Sequence, residues 1–66
     1  MKRAIPIDVY DQDGNMTKIE VQDASGNHIV DFVWDPTDEQ TSENRIKFRQ
    51  WCYDFLEKNK QFKVSR

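Results

Sequence analysis

Few side chains in this sequence combine the types and spacing that catalysis asks for. There is one histidine, His28, and one cysteine, Cys52. A nucleophile needs a base in hydrogen-bond reach, and that base needs a group to orient it. No Ser or Cys has an obvious base partner in the sequence, and His28 stands at the mouth of a turn. Cys52 also falls on an apolar helical arc, where a cysteine usually serves as a small core residue. Asp and Glu together number 12, but they lie mostly in turns, with no apolar pocket to raise a carboxyl pKa toward neutrality. Asp11-Gln12-Asp13-Gly14-Asn15 has the flavour of a calcium loop. Such a loop needs ligands at its first, third and fifth positions, glycine at the sixth and glutamate at the twelfth. Here the glycine comes fourth and the hydrophobic Val21 eleventh, so the segment reads as a turn. There is no thiol and imidazole cluster for zinc. The two glycines, Gly14 and Gly26, stand apart and form no phosphate-binding loop. The expectation is a non-enzymatic protein with no catalytic residue, metal, cofactor or small-molecule substrate.

Charge is the next lead. The formal net charge is −2, but it is unevenly placed. Residues 1–41 carry nine acidic and three basic side chains, and residues 42–66 carry three acidic and seven basic. The two halves attract each other, and either could present its charge to a partner. A single cysteine rules out an intramolecular disulfide, and small secreted domains are usually stapled. The apolar run after the basic start Met1-Lys2-Arg3 is broken by Asp8, which argues against a signal peptide. No run approaches the ~20 apolar residues of a membrane span. These points predict one cytoplasmic domain over residues 1–66, with no membrane partner. A chain this short buries a limited core, so self-association would supplement its stability.

The chemistry-bearing residues must be positioned by a few elements. Ser42 to Lys60 reads as the one long helix. At 100° per residue, Phe48, Trp51, Cys52, Phe55, Leu56 and Phe62 fall on one arc about 140° wide. Thr41 or Ser42 suits the N-cap, and Glu43 suits the positive end of the dipole. Residues 37–44 hold no apolar side chain and read as a polar loop or short turn. Such an aromatic helix needs a surface to cover it.

The N-terminal half supplies that surface. Ala4–Tyr10 alternates, with Ile5, Ile7 and Val9 on one face and Asp8 and Tyr10 on the other. Met16–Gln22 alternates likewise, with Ile19 and Val21 on the apolar face. His28–Trp34 places Val30, Phe32 and Trp34 on its larger face, and Ile29, Asp31 and Val33 on the other. The segments around Gly14 and Gly26 are tight-turn sequences. The fold class is therefore α+β: a three-stranded antiparallel β-meander followed by a C-terminal amphipathic helix on one face, β-β-β-α. A short fourth strand is conceivable at Phe62–Val64. The expected core is Ile5, Ile7, Val9, Ile19, Val21, Val30, Phe32, Trp34, Phe48, Trp51, Cys52, Phe55 and Leu56.

Two surfaces remain for partners. If the helix covers one side, Tyr10, Ile29 and Val33 lie on the open sheet face, beside the acidic Asp8, Glu20 and Asp31. On the helix, Ile46 and Tyr53 form a narrow apolar stripe away from the core arc. Open sheet edges also invite strand addition or dimerisation. The sequence thus points to a small accessory or inhibitor-type module that binds another protein or itself. The alternative is a nucleic-acid-binding domain that uses the sheet or the basic helix residues Arg45, Lys47, Arg49, Lys58, Lys60 and Lys63. An acidic sheet face has the wrong sign for phosphate.

Overall fold

The structure, a computed structural model, describes residues 2–65. Its elements are β1 (Arg3–Tyr10), β2 (Met16–Gln22), β3 (His28–Val33), α1 (Ser42–Asn59) and β4 (Lys63–Val64). The expected α+β architecture is present, with strand order β3-β2-β1-β4. β1 and β3 each pair antiparallel with β2, and the two residues of β4 run parallel to the start of β1.

Local chemistry accounts for the connections. Asp11 and Asp23 open two turns of the same pattern, D-x-x-G-N. In each, the aspartate Oδ1 accepts backbone N–H bonds from residues two and four further on, at 2.9–3.0 Å. Gly14 and Gly26 supply the positive φ, 82° and 85°. Asp11 spends its Oδ1 on the turn, as expected of a turn aspartate. Thr41 is the N-cap of α1, and its hydroxyl accepts from the Asn44 N–H at 3.0 Å. At the other end Phe62 N–H donates to Leu56 C=O at 3.1 Å, and Gln61 takes a left-handed φ of 57°.

The core differs from the expected one in two ways. It is built from Ala4, Met16, Ile19, Val21, Trp34, Cys52, Leu56 and Val64. First, β1 is turned over. Asp8 pairs with Ile19 and Pro6 with Val21, so the helix-facing row of β1 is Ala4, Pro6, Asp8 and Tyr10. Ile5, Ile7 and Val9 stand on the open face, where Ile7 is exposed. The cause is a bulge. Tyr10 pairs with Met16 but Val9 with Lys18, leaving Thr17 as an extra residue. Without it Ile7 would face Ile19 and Ile5 would face Val21, the expected arrangement. One residue of slip flips every side chain of a strand. Second, α1 is rotated. Cys52 and Leu56 are 0% exposed, whereas Trp51 is 57% exposed and does not belong to the core. The narrow side chains sit on the sheet, and the broad rings flank them.

Longer-range bonds hold the layers together. Arg49 Nε donates to Asp8 Oδ2 at 2.7 Å, joining α1 to β1. The Gln40 side-chain amide does the work of a strand residue for Met16. Its Oε1 accepts from Met16 N–H at 3.0 Å, and its Nε2 donates to Met16 C=O at 2.9 Å. That pins the loop before α1 to the start of β2.

Candidate interaction surface

Strand β3 is the outer strand of the sheet. Trp34 N–H donates to Thr17 C=O, and antiparallel pairs alternate. Phe32 and Val30 therefore point their backbone groups at β2, and those of Asp31 and Val33 point off the free edge. Just above that edge lies a ledge of rings. Phe32 meets Trp51 edge-on with centroids 5.8 Å apart, and meets Phe55 edge-on at 5.6 Å. Trp51 and Phe55 stack at 5.4 Å with planes 26° apart. Trp34 and Phe48 continue the row at 5.2 Å. Trp51 is thus held in place by two neighbours and still shows more than half its surface to solvent.

Beneath the edge, on the open face, the charges are balanced. Lys18 Nζ lies 3.4 Å from Asp31 Oδ2 and 3.8 Å from Glu20 Oε2. His28 Nε2 lies 3.0 Å from Asp31 Oδ1. The His28 hydrogen bond, with help from Lys18, holds the Asp31 carboxyl below its ordinary range. Asp8 has left this face for Arg49, so the face is mixed in sign and not the acidic one expected.

The residues singled out from sequence do not gather at one place. Val33 is on the open face at the β3 edge, 73% exposed. Ile29 is the extra residue of a second bulge, between the pairs Val21–Val30 and Gln22–His28. The bulge turns it to pack against the core, half-buried. Tyr10 is exposed but belongs to the helix-facing row, where its hydroxyl accepts from Arg49 Nη2 at 3.2 Å. Ile46 is exposed at 60% on the far flank of α1, and Tyr53 packs against the core.

The basic helix residues also divide. Arg45 donates to Gln40 C=O at 2.6 Å. Lys47 pairs with Glu43 at 3.1 Å. Arg49 is taken by Asp8, whose carboxylate raises its already high pKa. Lys58, Lys60 and Lys63 remain at the C-terminal end of α1 with Lys2 and Arg3 nearby, since β4 pairs with the start of β1. The opposite end gathers Asp11, Asp13, Asp35, Asp38, Glu39 and Glu43. A groove of about 440 Å³ lies there, bounded by Asp11, Met16, Val33, Trp34, Asp38 and Gln40 among others.

Sequence reasoning missed the ring ledge as a surface. The available signal was the position of Trp51 at the margin of the aromatic arc. Among the described residues no helix is long and apolar enough to cross a membrane. Comparison with protein-family models, curated proteins and solved structures gives no match.

Proposed function

We propose that this chain is a small, non-enzymatic, cytoplasmic protein-interaction module that binds along the β3 edge. The observation that carries the reading is Trp51. It is a large ring fixed by Phe32 and Phe55, more than half exposed, and it borders a strand with unpaired backbone groups. Rigid exposed aromatics cost little entropy on binding and dominate the energetics of protein interfaces. An open edge adds main-chain hydrogen bonds to the same partner. The sole cysteine is buried, with its thiol pKa pushed up to about 12, which makes it a poor nucleophile and fits a role without catalysis. The unpaired, buried Cys52 suits a reducing compartment.

The test is capture with matched baits. Wild type is compared with Val33→Lys and Trp51→Ala at the edge, and with Ile46→Ala on the far flank. A partner kept by wild type and Ile46→Ala but lost by both edge variants is expected. A partner lost by Ile46→Ala and kept by the edge variants would move the site to the other flank.

A second reading, nucleic-acid binding, draws support from the cations Lys2, Arg3, Lys58, Lys60 and Lys63 at one end of the molecule. That end still includes Asp23 and Glu57, and the strands of the sheet carry Arg3, Lys18 and Lys63 against Asp8, Glu20 and Asp31.

A further inference from the structure

We infer that the occupant of the β3 edge is a second copy of this chain, joined antiparallel through β3 about a two-fold axis that passes between the two Phe32 residues. The inference rests on the protein-interaction reading above and names the partner. Three observations carry it.

The first is register. Only Asp31 and Val33 offer backbone groups off the edge within the regular part of β3. Pairing Asp31 with Val33 of the second copy, and Val33 with its Asp31, uses both residues twice and exchanges four N–H···O bonds. It sets Phe32 against Phe32 at the close, non-hydrogen-bonded position, on the face that carries the rings. Aromatic pairs are favoured there. Centring the axis on Asp31 would set two carboxylates opposite each other, which is unfavourable. Centring it on Val33 would set Asp31 opposite Asp35 of the second copy, so the acidic side chains select the Phe32 axis.

The second is spacing. Arg49 reaches β1, Trp51 and Phe55 reach β3, and Cys52 and Leu56 pack with Ile19 and Val21. The middle of α1 therefore lies over β2. In the joined sheet the two β2 strands are three strand spacings apart, roughly 14 Å. Helices with ordinary side chains pack at about 8–10 Å. The excess is the room that Trp51 and Phe55 of the two copies would fill, covering the rings that each copy leaves open.

The third is charge. β3 runs from the basic end of the molecule to the acidic end. An antiparallel pair therefore lays Asp35, Asp38 and Glu39 of one copy toward the basic end of the other. The two charge distributions complement each other side by side.

Sedimentation equilibrium on wild type, Val33→Pro and Val33→Asp tests the proposal. Proline removes the outward N–H of residue 33 and leaves the inward bonds of Phe32 and Trp34 in place. Aspartate leaves the backbone intact at an exposed position beside Lys18 and sets like charges opposite each other, residue 33 against Asp31 of the second copy, in case proline perturbs the strand; circular dichroism checks both folds. Wild type is expected to dimerise, and each folded variant to raise the dimer Kd by roughly tenfold or more. In an isotope-filtered spectrum of a mixed-label sample, Val30 Hα should contact Trp34 Hα of the second copy. A Val30 contact to Phe32 of the second copy would overturn the register. A dimer indifferent to both variants would overturn the β3 edge. A monomer at concentrations up to about 1 mM would overturn the second copy as occupant. In that event the matched-bait result still decides whether the edge serves a different protein.

Discussion

Burial on α1 separates two residues that sequence periodicity placed together. Leu56 has no exposed surface, and Trp51 lies about 120° round the helix from the midpoint of Cys52 and Leu56. Leu56→Ala removes three carbons from a closed core and is expected to cost about 3 kcal/mol. Trp51→Ala loses mainly two ring contacts and some half-covered area, for about 1–2 kcal/mol. Urea denaturation of the two variants measures the difference. An equal loss would mean that the helix presents its aromatic centre to the sheet after all. Cys52 tests the same phase by chemistry. Burial, with a smaller contribution from Asp8, pushes its thiol pKa up to about 12. At pH 8 the thiol is then protonated as well as covered. Labelling by a thiol reagent is expected to be slow and to follow the global unfolding rate, and fast native-state labelling would place Cys52 outside the core.

The end of α1 carries a conformational cost that one substitution should relieve. Gln61 holds a left-handed φ of 57° without being glycine, a conformation that disfavours side chains with a Cβ. Gln61→Gly is expected to stabilise the fold by up to about 1 kcal/mol, read as a raised Tm. No gain would mean that the Gln61 side chain compensates through contacts of its own. The elements themselves were legible because their signals are local. The two D-x-x-G-N turns, the Thr41 cap and the alternation of three strands all lie within a few residues of what they shape. What escaped is non-local. Gln40 serves Met16 across 24 positions, and Asp8 meets Arg49 across 41. Neither bond leaves a periodic trace. The ring ledge escaped because an amphipathic arc gives the width of an apolar face but not the part of it that meets the sheet. Val33 could be placed from alternation, whereas Ile29, one bulge away, could not.

On the scale of the whole molecule, charge is sorted between the two ends of α1. The helix runs from the acidic end to the basic end, so its own dipole opposes the side-chain charges at both termini and is stabilised by them. The same sorting gathers most of the free cations at one end and leaves the open face of the sheet mixed in sign. Labelled DNA or RNA is therefore expected to show little anisotropy change at low salt. Micromolar binding that falls steeply with added salt would mean that the basic end neutralises several phosphates, and would displace the protein-partner reading.

The extra residue at Thr17 also bears on how the chain folds. β1 and β2 have a second hairpin register available, without the bulge, that aligns Ile5, Ile7 and Val9 with Val21, Ile19 and Thr17. By hydrophobic pattern alone that register is the better match, and it needs only contacts within the hairpin. The native register becomes preferable once α1 docks and Arg49 can reach Asp8. Early hairpins should therefore sample the wrong frame and then slip by one residue, a local conflict of the kind that roughens a folding landscape. Refolding from urea is expected to show a minor slow phase. In an Arg49→Met variant, which removes the native register's reward and leaves the hairpin sequence unchanged, that phase should grow.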